Sequence, residues 1–264
     1  MVKVNGITIG NETFPNNEHI FKSIHTNGFK FVIDFKYSTD MDIAILMMVK
    51  KYLDDKYTCW PVTLIMKYCP YSRMDRTIEG YMFSLKYFCQ LINGLNFDTV
   101  KVLDPHSSIT TALLDRCQEI SIQPFVDRAI AITNVDFVFY PDNGAMKRYS
   151  EIIKLPSNIE YFYGNKKRNL NTGEILRYEL VDYPDVQGKR VLIIDDLCAK
   201  GFTFYNAAEK IKDVGADKVY LYVSHCESSI YNGKLLQSKL VDKIFTTDSI
   251  LSDWSSKIIC NIEE

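Results

Sequence analysis

Short apolar segments recur along the chain, and the stretches between them space their apolar residues as helices do. The apolar segments are Phe29–Asp34, Val62–Lys67, Val100–Asp104, Asp136–Tyr140, Arg190–Asp195 and Lys218–Ser224. Strands that alternate with helices form βαβ units, in which successive strands lie parallel in one sheet. The pattern therefore predicts an α/β protein whose sheets are mainly parallel and flanked by helices.

The clearest of these units lies in the second half of the chain. Val191–Asp196 (VLIIDD) predicts a buried strand, because its apolar residues follow one another without a break. The residues after it have the i, i+3, i+4, i+7 spacing of an amphipathic helix: Phe204, Ala207, Ala208 and Ile211. Gly215 predicts the end of that helix, and Lys218–Ser224 predicts the next strand.

The helical periodicity is lost near Ile120–Arg128, where proline and polar residues interrupt it. This break predicts two α/β halves of comparable size, residues 1–122 and 123–264. Halves of this length are compatible with the usual domain size of about 100–200 residues. Asn165–Glu174 (NKKRNLNTGE), in contrast, predicts a polar, basic loop between two strands.

The composition is that of a folded globular protein, with 47% hydrophobic and 24% charged residues. The net charge is −2, so no broad positive field is present to hold a nucleic acid or an anionic membrane. No apolar run approaches the roughly 18 residues that span a bilayer, and the N-terminus lacks the pattern of a signal peptide. We therefore expect a cytoplasmic protein that binds neither nucleic acid nor membranes.

Two carboxylates, Asp195 and Asp196, end the predicted strand and precede a turn into a helix. Ligands of open parallel sheets bind beyond the carboxyl ends of the strands, where carboxylates accept hydrogen bonds from sugar hydroxyls. The N-terminus of the following helix suits a phosphate, and Thr203 adds a hydroxyl donor. Taken alone, the two aspartates are equally consistent with a cap of the next helix.

The segment Val191–Thr203 (VLIIDDLCAKGFT) resembles the phosphoribosyl-diphosphate (PRPP) loop of type I phosphoribosyltransferases and of PRPP synthetases, also called ribose-phosphate diphosphokinases. Other segments, in family order, resemble the synthetases and not the transferases. They are Phe14–Glu18 (FPNNE), Pro70–Arg76 (PYSRMDR), Asp104–His106 (DPH), Tyr140–Arg148 (YPDNGAMKR) and Asn165–Arg168 (NKKR). The resemblance implies two phosphoribosyltransferase-like domains, an ATP-binding half over 1–122 and a half with the ribose-phosphate loop over 123–264.

The resemblance also implies the nucleotide and metal contacts. The positions that match family residues in contact with ATP are Phe14, Asn16, Glu18, Arg73, Asp75, His106 and Asp115. In the family, the first of these segments receives adenine across a subunit contact, which implies a homo-oligomer, a dimer or larger. The positions that match contacts to Mg²⁺ are His106 and Asp142.

The acceptor and catalytic residues follow from the same resemblance. Asp195 and Asp196 match the aspartates that hold the ribose hydroxyls. The loop that matches the family's 5-phosphate-binding loop contains Ala199, Lys200, Gly201, Phe202 and Thr203. Lys166 and Arg168 match the catalytic basic residues, which supply positive charge where the transferred group develops negative charge.

Most of these residues also have an ordinary structural interpretation. A lone His106 is more often a partly buried residue with its hydrogen bonds satisfied, and Asp142 has the position of a helix N-cap. Arg73 with its charged neighbours forms a surface ion-pair cluster in that interpretation, and Asp115 lies on a helix surface. Lys166–Arg168 then form a solvated basic face. The order of the segments along the chain favours the functional interpretation.

The chain departs from the family most clearly in the phosphate loop. Lys200 and Phe202 stand where the family has small residues, which let backbone N–H groups close around a terminal monophosphate. Lys200 is placed to meet a second phosphate and Phe202 to stack on a base. ADP-ribose is thus an expected acceptor beside ribose 5-phosphate, as in phage-encoded relatives of the family. In the alternative interpretation, Phe202 turns inward as part of the core.

The function expected from this resemblance is transfer of diphosphate from ATP to the anomeric 1-hydroxyl of ribose 5-phosphate or ADP-ribose, with release of AMP. One alternative is a phosphoribosyltransferase that consumes PRPP, against which the segment Phe14–Glu18 argues. A second alternative is an inactive regulatory subunit that kept the fold. The charged residues at His106, Asp142, Lys166 and Arg168 argue against that alternative, because inactive relatives tend to lose such charges.

Overall fold

The structure is a computed structural model that describes residues 1–25, 28–168, 175–181 and 183–263, without the side chains of 166–168 and 175–177. The chain divides into two compact units, Met1–Ser121 and Ile122–Glu264. This division falls within Ile120–Arg128, but the predicted loss of helical structure there is wrong, because a helix begins at Gln123. In the ranges that the structure describes, no helix is both long and apolar enough to cross a membrane.

The first unit is built around one mixed sheet. Its described strands are β1 (Val2–Val4), β2 (Ile7–Ile9), β3 (Glu12–Thr13), β4 (His19–Ile20), β5 (Phe31–Phe35), β6 (Val62–Met66), β7 (Thr99–Leu103) and β8 (Cys117–Ile120). Its described helices are α1 (Asp40–Lys56), α2 (Ser84–Gly94) and α3 (Ser108–Leu113). The strand order is β2–β1–β5–β6–β7–β8, with β5 to β8 parallel and β1 antiparallel to its two neighbours. Strands β3 and β4 form a separate antiparallel hairpin.

Helix α1 covers part of the core of this unit. Its buried positions recur every three or four residues, as expected of an amphipathic helix: Ile43, Leu46, Val49 and Leu53. The helix begins after Thr39, whose backbone N–H donates to Asp42 Oδ2 at 3.0 Å. That contact is one half of a capping box. Strand β5 alternates buried and half-buried positions, which is the period of a strand with one face on the core.

The second unit is built around a mainly parallel sheet. Its described strands are β9 (Phe137–Tyr140), β10 (Glu160–Arg168), β11 (Ile175–Val181), β12 (Arg190–Cys198), β13 (Lys218–Cys226), β14 (Lys243–Thr246) and β15 (Ile259–Asn261). Its described helices are α4 (Gln123–Thr133), α5 (Asn143–Ile152), α6 (Phe202–Asp213) and α7 (Leu235–Ser238), with a 3₁₀ turn at Ser228–Asn232. The strand order is β11–β10–β9–β12–β13–β14–β15, and β11 is antiparallel to β10 while the other pairs are parallel.

The centre of the second unit confirms the predicted βαβ unit. Strand β12 is buried on both faces, since Val191–Ile194 have no exposed surface. The predicted helical stripe packs in the core: Phe204, Ala207, Ala208 and Ile211. Helix α6 ends at Asp213, just before Gly215, whose φ of +99° favours glycine. The α/β fold with mainly parallel sheets is therefore confirmed.

Several predicted boundaries are wrong, and two of them lie next to the predicted site residues of the second unit. Strand β12 does not end at Asp196 but continues to Cys198, because its pairing with β13 extends that far. The predicted loop Asn165–Glu174 begins as a strand, since Asn165–Arg168 are the last residues of β10 and pair with β11. An antiparallel partner thus overrides the polar composition of these residues. Residues 169–174 of the predicted loop lie outside the described residues.

Candidate active site

The segment Phe14–Glu18 forms the tip of the β3–β4 hairpin. The backbone N–H of Phe14 donates to Glu18 O at 2.8 Å, and that of Asn17 donates to Phe14 O at 2.9 Å. The Asn16 side chain accepts from the Glu18 N–H at 3.2 Å. Every residue of the tip is exposed, and Phe14 is 54% exposed. Hydrogen bonds within the tip hold its shape, so that an aromatic ring and a carboxylate lie at its surface.

Arg73, Asp75 and His106 follow the carboxyl ends of two neighbouring parallel strands, β6 and β7. The structure thus brings these residues to one edge of the first sheet. His106 is exposed, so its interpretation as a partly buried residue is wrong. Asp104, at the start of the same turn, is fully buried and has a φ of +42°, which is uncommon for a residue other than glycine. This strained turn aims the exposed His106 away from the core.

Asp115 does not join these residues. It lies in the turn between α3 and β8, where its backbone N–H donates to Asn93 Oδ1 at 2.9 Å. Strand β8 is parallel to β7 and pairs Cys117 with Val100, so Asp115 lies at the opposite edge of the sheet from His106. Its interpretation as a residue of a helix surface is also wrong, because α3 ends before it.

Asp142 begins helix α5 in the second unit. Its Oδ1 accepts the backbone N–H of Ala145 at 2.9 Å, so the predicted N-cap is confirmed. The preceding strand β9 ends at Tyr140, which places Asp142 at the carboxyl edge of the second sheet. A cap uses one carboxylate oxygen and orients the second, so the structural interpretation and the proposed metal contact are compatible.

Asp195 and Asp196 lie within β12, at the same edge. Asp196 is buried, and its backbone N–H donates to Asp195 Oδ1 at 3.0 Å. Neither aspartate caps the next helix, because the N-cap of α6 is Gly201. Their interpretation as helix caps is therefore wrong. The strand itself orients both carboxylates.

A buried tyrosine, Tyr178 on β11, lies close to two of these aspartates. Burial raises the pKa of the Tyr178 hydroxyl well above its usual range, and the carboxylates of Asp142 and Asp195 raise it further. The Tyr178 hydroxyl also donates to the carbonyl oxygen of Pro141, the residue before Asp142. Strands β9 and β12 are parallel neighbours with Phe139 opposite Ile193, which brings their carboxyl ends together. The second unit therefore gathers Asp142, Asp195 and Tyr178 at one edge.

The loop after β12 is fixed by close packing at two glycines. Gly201 has a φ of +76°, and a Cβ at that position would lie 2.8 Å from a methyl carbon of Leu235. A Cβ on Gly233 would collide with the Lys200 carbonyl oxygen and lie 2.9 Å from its carbonyl carbon. No side chain fits at either contact without a shift of the backbone. The loop 199–203 thus has a fixed position against residues 233–235.

Gly233→Ala is expected to lower the thermal unfolding midpoint. Overpacking against backbone atoms costs roughly 1–3 kcal/mol, which corresponds to about 2–12 °C for a domain of this size. The matched control is Gly94→Ala in α2, where a Cβ meets nothing within 4 Å and the midpoint should hold or rise slightly. Circular dichroism melts of both variants check this, and equal midpoints would contradict the tight packing.

Lys200 and Phe202 are both exposed at this loop. Phe202 is the first residue of α6 and is 56% exposed, so its interpretation as a core residue is wrong. Lys200 lies in the turn directly before the helix. A cation and an aromatic ring therefore border the helix N-terminus, where the family resemblance expects small residues.

The backbone of Lys166 and Arg168 lies at the end of β10, and their side chains are outside the described residues. Lys166 is the cross-strand partner of Tyr178 on β11. The same tyrosine lies near Asp142 and Asp195. The strand that carries the predicted catalytic residues thus ends beside the cluster at the carboxyl edge.

Sequence patterns gave no sign of three residues that shape this edge. Tyr178 stands in an ordinary strand segment, and its role depends on neighbours from other strands. Gly164 and Gly233 are each needed because a distant backbone atom approaches them closely. Asn232-Gly233 is a turn signal, but a turn signal does not reveal the contact with Lys200.

Comparisons with known proteins find a matching family model and similar proteins with related names. A family model described as a phosphoribosyl synthetase-associated domain matches residues 179–262. A ribose-phosphate pyrophosphokinase from Sulfurisphaera tokodaii is 27% identical over 273 aligned residues, which cover 99% of this chain and 91% of that protein. One from Sulfolobus acidocaldarius is 29% identical over 215 residues, which cover 77% of this chain and 70% of that protein.

A solved structure shares the fold. It is the phosphoribosylpyrophosphate synthetase from Mycobacterium smegmatis, with a TM-score of 0.72, 17% identity and coverage of 95% of this chain and 84% of that chain. The chain thus has the same α/β fold as that synthetase. Along most of its length, the chain is similar to ribose-phosphate pyrophosphokinases, which are also called PRPP synthetases. The family resemblance of the sequence segments is therefore confirmed.

Proposed function

We propose that this chain is a Mg²⁺-dependent diphosphokinase, which transfers diphosphate from ATP to the anomeric 1-hydroxyl of a 5-phosphorylated ribose and releases AMP. The observation that carries the proposal is the convergence of Asp142 and Asp195 at one sheet edge, beside the loop 199–203. The relatives named ribose-phosphate pyrophosphokinases support this reaction class.

The acceptor binds at the carboxyl edge of the second unit in this proposal. Asp195 and Asp196 accept hydrogen bonds from the 2- and 3-hydroxyls of the ribose. The backbone of Ala199–Thr203 and the N-terminus of α6 hold the 5-phosphate, because free N–H groups and the positive end of the helix dipole favour an anion.

The chemical step is attack of the ribose 1-hydroxyl oxygen on the β-phosphorus of ATP. A bond forms between that oxygen and the β-phosphorus, the bond from the β-phosphorus to the α-phosphate oxygen breaks, and AMP leaves with its electron pair. The hydroxyl proton passes to solvent. Lys166 and Arg168 stabilise the negative charge that spreads over the transferred group.

The donor groups near the acceptor site suit Mg²⁺. In the described part of the chain, no group of three or more His, Cys, Asp or Glu side chains is placed to enclose a metal. Mg²⁺ needs no such cage, since one or two carboxylates and substrate phosphates commonly hold it. In this proposal, Asp142 in the second unit and His106 in the first unit would each contact Mg²⁺. When bound, it neutralises charge on the phosphate oxygens of ATP.

The residues proposed to contact ATP lie in the first unit. The exposed tip Phe14–Glu18 supports a role as a surface that receives adenine from another copy of the chain, and hence a homo-oligomer, a dimer or larger. Arg73 and Asp75 lie at the same sheet edge as His106, which supports a shared role toward the phosphates. Asp115 stays a prediction without that support, because it lies at the opposite edge.

ADP-ribose is the acceptor that the exposed side chains of the loop favour. The Phe202 ring is more than half exposed at the start of α6, and Lys200 is exposed beside it. An acceptor that ends at a 5-monophosphate would leave both side chains unused. A second phosphate and a base would engage them through an ion pair and a stacking contact.

Wild-type protein with Mg-ATP is expected to release AMP with both acceptors and to favour ADP-ribose. Phe202→Ala is expected to raise the KM for ADP-ribose roughly 10-fold, because stacking of a base on an aromatic ring contributes about 1–3 kcal/mol. The KM for ribose 5-phosphate should change little and serves as the internal control. AMP release by chromatography and the new anomeric diphosphate by ³¹P NMR provide the measurements.

Four outcomes test the reaction, its acceptor and its metal. Absence of AMP with either acceptor ends the diphosphokinase proposal. Consumption of PRPP in the presence of a base would instead indicate a phosphoribosyltransferase. Equal loss with both acceptors in Phe202→Ala would contradict the stacking role. Chelation by EDTA should abolish activity, and added Mg²⁺ should restore it.

A further inference from the structure

One hydrogen bond ties the turn that carries Asp142 to the edge strand of the second sheet. The Tyr178 hydroxyl donates to the carbonyl oxygen of Pro141 at 2.9 Å, and the tyrosine is buried. A tyrosine hydroxyl has an ordinary pKa of about 10, so it carries its proton at neutral pH and can act as the donor. The carbonyl belongs to the peptide unit that leads into Asp142. The bond therefore fixes the plane of that peptide unit.

A glycine makes room for this hydrogen bond. Strand β10 pairs with β9 as far as Tyr163 opposite Tyr140, and Gly164 is the next residue. A Cβ on Gly164 would collide with the Tyr178 hydroxyl, and it would lie 2.8 Å from the ring carbon Cζ and 2.9 Å from the Pro141 carbonyl oxygen. Any side chain at this position would displace one partner of the bond. Glycine at position 164 thus leaves the space that the Tyr178 hydroxyl occupies.

The same tyrosine is also tied to the strand of the basic residues. In the antiparallel pair of β10 and β11, Tyr178 stands opposite Lys166. Its backbone belongs to the ladder that ends at Arg168, while its hydroxyl reaches the turn before α5. One residue thus connects the strand end of Lys166 to the turn of Asp142.

We propose that Tyr178 is a positioning residue, whose hydroxyl holds the Asp142 turn and the Lys166 strand end in one fixed arrangement. This inference rests on the proposed function, because Asp142 and Lys166 act there on the same ATP phosphates. Without the hydroxyl, the peptide before Asp142 loses its donor and can rotate. The carboxylate then samples several positions, and a displacement of about 1 Å can cost as much as 10²-fold in rate.

Tyr178→Phe tests this directly, since it removes the hydroxyl and keeps the ring. The expected result is a kcat lowered roughly 10-fold and a raised Mg²⁺ concentration at half-maximal activity, with KM for the acceptor little changed. Gly164→Ala should shift both quantities in the same direction. The matched control is Tyr140→Phe, because Tyr140 is fully buried and its hydroxyl has no hydrogen-bond partner in the part of the chain that the structure describes. Its kcat and Mg²⁺ dependence should equal those of wild type.

Hydrogen–deuterium exchange of the segment 141–148 supplies a readout that does not depend on activity. Exchange should be faster in Tyr178→Phe and unchanged in Tyr140→Phe. If wild type is active and Tyr178→Phe matches Tyr140→Phe in kcat and Mg²⁺ dependence, the positioning role is overturned, even where the unfolding midpoint drops. If wild type is inactive, the proposed function fails, and unchanged exchange in Tyr178→Phe overturns the inference about the turn on its own.

Discussion

Lys166→Ala is expected to lower kcat roughly 10²–10³-fold, which corresponds to about 3–4 kcal/mol of transition-state stabilisation. The transferred group develops negative charge only as the reaction proceeds, so a positioned cation stabilises the transition state more than bound ATP. KM for both substrates should therefore change little. The backbone of Lys166 lies opposite Tyr178, beside the aspartates of the second unit. Steady-state kinetics of AMP release measure the effect.

Lys167→Ala is the matched control for this experiment. It removes the same charge from the neighbouring position, and the family resemblance gives that position no role. Its kcat should stay close to that of wild type, whereas Arg168→Ala should resemble Lys166→Ala. Equal losses in all three variants would show that only the total charge of the strand matters. An unchanged kcat in Lys166→Ala would remove the catalytic role.

Asp195→Ala is expected to raise the KM for the acceptor roughly 10–100-fold, because hydrogen bonds to a charged group contribute about 1.5–3 kcal/mol. The ribose hydroxyls would lose the Asp195 carboxylate as a hydrogen-bond partner. Strand β12 and the N–H of Asp196 set the position of that carboxylate. Turnover at saturating acceptor should fall much less, since the lost contact forms in the ground state as well. Initial rates at varied acceptor concentration separate the two quantities.

Asp213→Ala provides the control for the acceptor site. Asp213 is the last residue of α6, at the far end of the helix from the loop, and its carboxylate pairs with Lys210 on the surface. Removal of an exposed ion pair of this kind costs little stability. The acceptor KM should not change. A similar rise of KM in both variants would indicate a general effect of lost charge and not a contact with the sugar.

The central strands and helix α6 were predictable because their patterns have one physical cause. A strand covered on both faces must be apolar at consecutive positions, as Val191–Ile194 are. The ends of strands depend on their partners, which local sequence does not contain. Strand β12 runs on to Cys198 beside β13, and the polar residues Asn165–Arg168 form a strand because β11 pairs with them.

The candidate site was predictable only where a short segment carries its own signature. The consecutive aspartates of β12 and the turn before α6 have such a signature, and the sequence also predicted Asp142 as an N-cap. Tyr178 has none, because its contacts come from β9 and β10. Asp115 shows the opposite difficulty, since a match to a family position does not fix the edge of the sheet at which a turn falls.

The continuation of β12 beyond its aspartates has a consequence for affinity. Leu197 and Cys198 pair with His225 and Cys226. The backbone is therefore ordered both before and after Asp195 and Asp196. Ordering a residue costs about 1–2 kcal/mol of conformational entropy, and on a free loop a ligand would bear that cost when it binds. In this protein, the backbone is already ordered when the chain folds, so binding does not carry that entropy cost. Each contact with the sugar therefore contributes more of its interaction energy to affinity.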